Sequence, residues 1–208
     1  MPELPEVETV RRGLQPHLEG RRIARLTLNR DGLRWKFPPD LVQVATGATV
    51  TWLRRRSKYL LADLDTGETL IAHLGMSGRM LVSGGTVGAF HHPLAAALPH
   101  DHVILDIEGG ARITFNDARR FGALLWTHDD PHLHPLLAKL GPEPLTAAFD
   151  GEYLYQRCRR KLSAIKPWLM DNQLVVGVGN IYANEALFAA GIDPRRAAAT
   201  LTEDECER

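Results

Sequence analysis

Apolar and polar residues alternate along the chain between residues 22 and 117, and this alternation constrains the fold more than any other feature of the sequence. A period of two is typical of strands that bury one face and expose the other. It recurs in the stretches RIARLTL, TVTWLRRRSKYLLADL, ETLIAHL, RMLV, HVILDIE and ARITFND. Gly109-Gly110 joins the last two stretches in the manner of a hairpin turn. The sequence therefore predicts a mostly antiparallel sheet system.

Helical patterns lie on both sides of the predicted sheets. The N-terminal helix is indicated by apolar residues at near-helical spacing that end before a glycine: Leu4, Val7, Val10, Leu14 and Gly20. Beyond residue 131 the predicted helical stretches are EYLYQRCRRK, residues 163–171 and IYANEALFAA, which ends at Gly191.

The segment GPEPLTAAFDG, rich in proline and glycine and without clear periodicity, separates the strand-rich region from the helical one. It predicts an α+β chain of two domains, residues 1–141 and residues 142–208. Residues 84–101 are expected to form a long loop, which in a compact domain is often functional. Two histidines in this loop, His91 and His92, match no motif.

Composition bounds the possibilities without naming a partner. The 208 residues are 44% hydrophobic and 24% charged, which fits one large globular domain or two modest ones. Cys158 and Cys206 form no CxxC pair and are too few for a disulfide framework or a zinc site. No apolar run reaches membrane length and no signal peptide is evident, so we expect a cytoplasmic protein without a membrane partner. Basic and acidic residues balance at 25 each, but the basic ones cluster at residues 54–58, 119–120 and 157–161.

The chain opens MPELPEVET, and two interpretations of these residues compete. Pro5 and the glutamates around it suit the first turn of a helix, where a missing N–H costs nothing and negative charge is favoured. That interpretation leaves Pro2 unexplained. Removal of Met1 would expose Pro2 as a free secondary amine, which is a nucleophile.

The other end of the chain has its own pattern. Thr202 to Glu205 has the form of a capping box and predicts a helix start, although only three residues follow. So short a helix is marginal without packing. The sequence therefore suggests a fragment of a longer protein, with a frayed acidic tail as the alternative.

Three glycine-containing turns carry side chains of related chemistry. HLGMSG (73–78) would present Met76 between two strands, and DARRFG (117–122) sets two arginines beside a phenylalanine. GVGNIYANE (177–185) leads into a helix near Asn180, and a helix N-terminus favours phosphate. Apolar and arginine side chains can fill a base stack, while lysine and arginine neutralise a phosphate backbone. Together the turns favour a nucleic-acid partner.

Six blocks, in order along nearly the whole chain, carry a family resemblance: PELPEVET, RRSKYLL, HLGMSG, DARRFG, LGPEPL and KPWLMDNQLVVGVGNIYANEALFAAGIDP. They resemble the formamidopyrimidine-DNA glycosylase family of bifunctional base-excision repair enzymes, which remove oxidised purines and cleave at abasic sites. The resemblance implies an N-terminal β-sandwich led by a helix, then a helical domain with a helix–two-turns–helix motif. It also implies a monomer whose partner is double-stranded DNA containing oxidised bases or abasic sites.

The resemblance answers the question raised by Pro2. In the family, the N-terminal proline amine attacks the anomeric carbon of the damaged nucleotide and leaves an iminium, a Schiff base, on the opened sugar. By similarity Pro2 is that nucleophile, Glu3 shuttles protons during sugar opening, and Lys58 serves later proton transfer and phosphate contact. Glu6 is the next acidic candidate in the pocket. The alternative is structural, with Glu3 capping the helix and Lys58 solvated.

Flipping the target nucleotide out of the duplex leaves a gap that must be filled. The resemblance assigns this task to Met76, Arg119 and Phe121, with Arg119 also contacting the orphaned base. Phosphate contacts fall by similarity to His73, His100, Lys161 and Asn180, with Arg120 and Tyr182 as further DNA-binding candidates.

The chain also departs from the family pattern. Full-length members continue into a C-terminal zinc finger with four cysteines, and a loop that closes over the flipped purine also lies beyond the position of Arg208. No cofactor or metal is therefore predicted in this chain, because the structural zinc belongs to the finger.

Three alternatives remain open at this point. An endonuclease VIII-like glycosylase would prefer oxidised pyrimidines, but its match to HLGMSG and DARRFG should be poorer. A catalytically silent module for binding damaged DNA would keep the wedge residues without the chemistry. An isomerase that uses an N-terminal proline as a base is disfavoured, because that chemistry does not need the later motifs.

Overall fold

The computed structural model describes residues 2–83 and 98–208, which form two compact units, Met1–His134 and Pro135–Arg208. The division falls shortly before the boundary predicted after residue 141. The first unit contains helices α1 (Leu4–Leu18) and α2 (Leu41–Ala45) and strands β1 (Ile23–Leu28), β2 (Val50–Arg56), β3 (Tyr59–Leu64), β4 (Thr69–His73), β5 (Arg79–Ser83), β6 (Asp101–Ile107), β7 (Arg112–Asn116) and β8 (Ala123–Thr127).

Within the described residues, the strands of the first unit form two four-stranded antiparallel sheets, ordered β1-β6-β7-β5 and β2-β3-β4-β8. Both sheets contribute apolar side chains, among them Leu26, Leu53 and Phe115, to one shared core. Gly109 and Gly110, with φ of 97° and 95°, form the turn of the β6–β7 hairpin. The predicted β-sandwich and its hairpin are confirmed.

Helix α1 packs on this core through Val7, Leu14 and Leu18, which are almost fully buried. Pro5 lies in its first turn, where no intrahelical partner for an N–H is needed. Gly20, with φ of 72°, follows the end of the helix in the left-handed conformation that glycine adopts without strain. The predicted N-terminal helix is therefore confirmed.

Strand β8 and helix α2 of the first unit are absent from the sequence-based prediction. Strand β8 has the sequence ALLWT, an apolar run without alternation that does not distinguish a strand from a buried helix. It becomes a strand by pairing with β4, where Ile71 lies opposite Leu125. Helix α2 has five residues, too few to show a helical period. Of the predicted long loop, residues 84–97 lie outside the described residues, and so do His91 and His92.

The second unit is helical, as predicted. Its helices are α3 (Gly151–Cys158), α4 (Ile165–Leu169), α5 (Asn180–Ala190) and α6 (Glu203–Glu207). A separate apolar core gathers Cys158, Ile165, Leu174 and Leu187. Gly191, with φ of 67°, ends α5 in the left-handed conformation. Among the described residues, no helix combines the length and apolar character needed to cross a membrane.

Helix α6 is short but well anchored within its unit. Thr202 and Glu205 form the predicted capping box, with Glu205 N–H donating to Thr202 Oγ1 at 3.2 Å. Arg196 forms an ion pair with Glu205 at 2.6 Å, and Cys206 packs against the core beside α3. A side chain at Gly151 would collide with the backbone of Glu207, so α6 lies directly against the start of α3. Packing therefore compensates for the few residues in this helix.

Candidate active site

The N-terminus of α1 is fixed by a reciprocal pair of hydrogen bonds. Glu3 is the N-cap, and its N–H donates to Glu6 Oε2 at 2.9 Å. The Glu3 carboxylate accepts the N–H of Glu6 in return, which completes a capping box. Only 2% of Glu3 is exposed, whereas Pro2, immediately before the helix, is half-buried. The structural interpretation of Glu3 thus holds, and its carboxylate is buried one residue after Pro2 in the chain.

Lys58 lies in the turn between β2 and β3 and is 7% exposed, so the structural alternative of a solvated lysine is wrong. Burial lowers the pKa of Lys58, while the negative charges of Glu3 and Glu6 act in the opposite direction. The Lys58 side-chain nitrogen is therefore within electrostatic reach of both carboxylates. The fold brings together residues that are more than 50 positions apart in the sequence.

His73 ends β4 close to the same group. Its Nδ1 accepts the N–H of Gly75 at 3.0 Å, and its ring lies 4.8 Å from that of Tyr59. Burial, followed by the positive charges of Lys58 and Arg34, lowers the pKa of His73 to about 4. At neutral pH the imidazole is therefore uncharged, and the bond at Nδ1 leaves the proton on Nε2. His73 can donate one hydrogen bond to a phosphate but supplies no positive charge.

The HLGMSG and DARRFG turns are joined by Asp117, which is fully buried. Its Oδ1 accepts the hydroxyl of Ser77 at 2.6 Å, and its Oδ2 accepts the N–H of Gly122 at 2.8 Å. Ser77 Oγ in turn accepts the N–H of Arg119 at 3.2 Å. Gly75 has φ of 64°, and a Cβ there would lie 2.3 Å from the carbonyl carbon of Phe121. The two turns thus pack as one body.

This body exposes the side chains predicted to act as a wedge. Met76 and Phe121 are 42% and 43% exposed, which is unusual for large apolar residues and confirms that Met76 is presented outward. The guanidinium of Arg119 lies 4.9 Å above the Phe121 ring. The same residues line an open cavity of about 630 Å³, bounded by Leu33, Arg34, His73, Gly75, Met76, Arg119, Arg120 and Phe121.

His100 and Arg120 hold uncommon backbone conformations beside these turns. Their φ values are 74° and 59°, and both side chains are exposed. The carbonyl oxygen of His100 accepts the N–H of Asp117 at 3.0 Å, so His100 is tied to the start of the DARRFG turn. Left-handed non-glycine residues often cluster at functional sites.

The remaining predicted DNA-binding residues lie in the second unit. Lys161 follows α3, with its Nζ 3.8 Å from the centre of the Trp168 ring. Asn180 is the exposed first residue of α5, as predicted, and Tyr182 follows in the same turn with 36% of its surface exposed. Gly177, with φ of 81°, forms the bend that leads into this helix.

Comparison with known proteins places this architecture in a family. The models of the formamidopyrimidine-DNA glycosylase N-terminal domain and of its H2TH domain match residues 1–124 and residues 140–208. The chain belongs to the formamidopyrimidine-DNA glycosylase family.

Relatives in this family match over nearly all of the chain. The formamidopyrimidine-DNA glycosylase of Jannaschia sp. (strain CCS1) is 61% identical over 199 residues, which cover 95% of this chain and 70% of the relative. The formamidopyrimidine-DNA glycosylase of Cereibacter sphaeroides (strain ATCC 17029 / ATH 2.4.9) is 58% identical over 208 residues, which cover 100% and 74%.

Solved structures of the family confirm the fold. The MutM (Fpg) protein from Thermus thermophilus matches with a TM-score of 0.83 and 38% identity over 99% of this chain and 70% of that chain. The Lactococcus lactis Fpg in complex with abasic site containing DNA matches with a TM-score of 0.86 and 32% identity, over 98% and 72%. The helix–two-turns–helix interpretation of the second unit agrees with both comparisons.

Several residues that shape this formamidopyrimidine-DNA glycosylase site are absent from the sequence-based prediction. Arg34 lines the cavity and its N–H donates to the carbonyl oxygen of Gly122 at 3.0 Å, but it lies in an aperiodic segment that gives no signal. Asp117 and Ser77 lie within the DARRFG and HLGMSG motifs, but only the hydrogen bond between them shows that they hold the two turns together. Arg55 belongs to a basic run that resembles a solvated surface.

Within residues 2–83 and 98–208, no three histidine, cysteine, aspartate or glutamate side chains lie together in a way that could hold a metal ion. Cys158 and Cys206, which do lie near each other, provide two sulfur ligands, whereas a structural zinc site needs four ligands.

Proposed function

We propose that this chain is a base-excision repair enzyme, a DNA glycosylase and abasic-site lyase that removes 8-oxoguanine and formamidopyrimidines from double-stranded DNA. The observation that carries the proposal is the position of the buried Lys58 amine. It lies within electrostatic reach of Glu3 and Glu6, which stand at the start of α1, directly after Pro2. This arrangement supplies a nucleophile, an acid and a base at one point. The reaction requires removal of Met1, because an acylated proline nitrogen is not nucleophilic.

The first stage exchanges the base for the enzyme amine. A terminal amine has a pKa of roughly 7.7–8.0, so a useful fraction of Pro2 is unprotonated near neutral pH. Its lone pair attacks C1′ as the bond to the base breaks, and the base leaves with that electron pair and takes up a proton from solvent. The Pro2 nitrogen loses its proton to the Glu3 carboxylate. Glu3 passes this proton to the ring oxygen as the C1′–O4′ bond breaks, which leaves the iminium and keeps Lys58 free to act as a base in the next stage.

The second stage cleaves the strand. The iminium acidifies C2′, and loss of a proton from that carbon expels the 3′ phosphate. We assign Lys58 to this proton transfer and to contact with the phosphate. His73 donates Nε2–H to a phosphate as a neutral group, since its pKa is about 4. Glu6 holds the Glu3 backbone and adds negative charge beside the lysine.

Access to C1′ requires the nucleotide to be flipped out of the duplex, at a cost of a few kcal/mol in lost stacking. The exposed side chains of Met76, Arg119 and Phe121 are suited to fill the gap, and their turns are held rigidly by Asp117. Phosphate contacts are assigned to His73, His100, Lys161 and Asn180, with Arg120 and Tyr182 beside them. The protein acts as a monomer in the bacterial cytoplasm, at the nucleoid.

The proposal is tested by covalent trapping. Sodium borohydride reduces a transient iminium to a stable amine, so the trimmed protein should give a cross-linked complex with DNA that contains an abasic site. Peptide mapping should place the link at Pro2. A matched protein with a non-cleavable N-terminal extension keeps every DNA-binding side chain and should bind the same DNA without trapping.

Two outcomes would favour other functions. If the unblocked protein binds lesion DNA but forms no adduct even at a preformed abasic site, the chain is a silent binding module. If it is trapped on oxidised pyrimidines in preference to 8-oxoguanine, its specificity is that of the endonuclease VIII-like group. Neither alternative is favoured by the family match.

A further inference from the structure

Arg55, the residue before the last of β2, links helix α1 to the turn that carries Lys58. Its Nε donates to Glu8 Oε2 of α1 at 3.2 Å. Its Nη1 donates to the carbonyl oxygen of Ser57 at 2.8 Å. Only 15% of the Arg55 side chain is exposed. A planar guanidinium can make both bonds at once, whereas a lysine ammonium lacks this fixed fork.

Ser57 is the strained point of this turn. Its φ is 54°, a left-handed conformation that non-glycine residues seldom adopt, and only 2% of the residue is exposed. Such a conformation persists where surrounding bonds determine it. The bond from Arg55 to the Ser57 carbonyl oxygen is one of these, and Lys58 is the next residue along the chain.

Glu8 provides a fixed anchor for Arg55. It also accepts bonds from Arg11 at 2.8 Å and from Arg12 at 2.9 Å. These bonds, with that from Arg11 first, lower the pKa of Glu8 to about 2, although partial burial opposes the shift. Since Arg11 and Arg12 also pair with Glu8, loss of Arg55 would leave cations beside that carboxylate, and we expect the contribution of Arg55 to be geometric rather than a matter of charge balance.

We propose that Arg55 is a positioning residue for the Schiff-base reaction, which holds the Lys58 turn at a fixed distance from the α1 N-terminus through Glu8 and Ser57. The inference rests on the proposed function of Pro2 and Lys58. Misplacement of a reacting group by about 1 Å can cost 100-fold in rate, so a bond that sets this distance affects chemistry without contacting the substrate. The support comes from two hydrogen bonds and one peptide link along a single path, from α1 through Arg55 and Ser57 to Lys58.

The test compares Arg55→Met with Arg12→Met in the full chain with a free N-terminus. Both variants remove one partner of Glu8, but only the first loses the bond to Ser57. For Arg55→Met we expect strand cleavage at a preformed abasic site to fall by about 10- to 100-fold. Mass spectrometry after brief labelling with an amine-selective reagent should show greater modification of Lys58, with exposed lysines such as Lys139 unchanged. Arg12→Met should match the wild type in both measurements.

A second substitution tests the route through Ser57. Glycine adopts a positive φ at little cost, so Ser57→Gly placed in the Arg55→Met background should recover most of the rate and the protection of Lys58. Failure of this rescue overturns the inference, as does a wild-type rate in Arg55→Met or an equal loss in Arg12→Met. Absence of trapping in the wild type would instead refute the proposed function, and the labelling comparison would still report on Arg55.

Discussion

His73 is surrounded by groups that all favour its uncharged form. Lys58 and Arg34 place positive charge near it, burial removes water, and Gly75 donates a hydrogen bond to Nδ1. A histidine at a DNA surface is often counted as a cation, but a pKa of about 4 makes this one a neutral donor near pH 7. His73 then serves the enzyme by donating one hydrogen bond from Nε2–H in a fixed direction. Moderate changes in pH near 7 leave this donor unchanged.

This environment predicts a pH dependence of stability. The folded protein binds the His73 proton more weakly than the unfolded chain, whose histidine has a pKa near 6.5. The unfolded state therefore gains protons first as pH falls from about 6.5 towards 4. His73 should destabilise the fold across that window by up to about 1.4 kcal/mol per pH unit.

The measurement is urea unfolding of wild type and His73→Gln at pH 7 and pH 5. The difference between the two proteins isolates His73 from the carboxylates that titrate lower. We expect the wild type to lose more stability than the variant between these pH values. Parallel losses in both proteins would contradict the low pKa.

Residues could be predicted from the sequence where the side-chain type already carries the chemistry. Pro2, Met76 and Phe121 stand out because a terminal proline or an apolar residue in a glycine turn is unusual by itself. Arg34 and Arg55 could not be recognised this way, because each acts through a partner distant in sequence. Only tertiary structure separates them from the arginines of a solvated surface.

At the scale of elements, two glycines with the same backbone conformation, one in a wedge turn and one after α1, are needed for different reasons. Gly75 and Gly20 share a positive φ, at 64° and 72°. A Cβ at Gly20 would meet nothing within 4 Å, whereas one at Gly75 would lie 2.3 Å from the carbonyl carbon of Phe121. The first position needs glycine for its backbone conformation alone. The second needs it also because two turns touch there.

This difference predicts unequal costs for the same substitution. Gly20→Ala should lower the free energy of unfolding by about 1 kcal/mol, the usual cost of a left-handed alanine. Gly75→Ala should cost about 1–3 kcal/mol more, because overpacking adds to the backbone strain. Urea unfolding midpoints of both variants provide the comparison, and equal losses would show that the turns can separate freely.

Most elements could be predicted because their hydrophobic period is clear. The strands that line the sandwich alternate, and α1, α3 and α5 show helical spacing or clear capping signals. Strand β8 could not be identified because its apolar run fits either element until β4 pairs with it. The hydrophobic period also does not say which strands are neighbours, so the strand order within each sheet is known only from the structure.

At the scale of the whole molecule, binding to DNA cannot depend on net charge, because 25 basic residues balance 25 acidic ones. Affinity must come from local clusters of cations that displace counterions from phosphates. Lys161 is the predicted phosphate contact of the second unit, and its Nζ is already placed by the Trp168 ring. Its removal should therefore weaken binding to all sequences alike.

The change in salt dependence measures this contact. Lys161→Ala should reduce the slope of log affinity against log salt by about one, while Lys139→Ala, an exposed lysine of the same unit that no motif assigns to DNA, should leave it unchanged. Fluorescence anisotropy with a labelled duplex over a range of salt concentrations gives both slopes. An unaltered slope in Lys161→Ala would remove it from the phosphate contacts.

The bond between Ser77 and Asp117 has a consequence for how this protein can vary over time. It joins residues 40 positions apart and ties the HLGMSG turn to the DARRFG turn. A change at either position would impair both wedge turns together, and a compensating change would have to occur at the other. The two motifs should therefore vary together. After random mutagenesis at positions 77 and 117 with selection for repair, replacements at the two positions should occur together more often than the product of their separate frequencies.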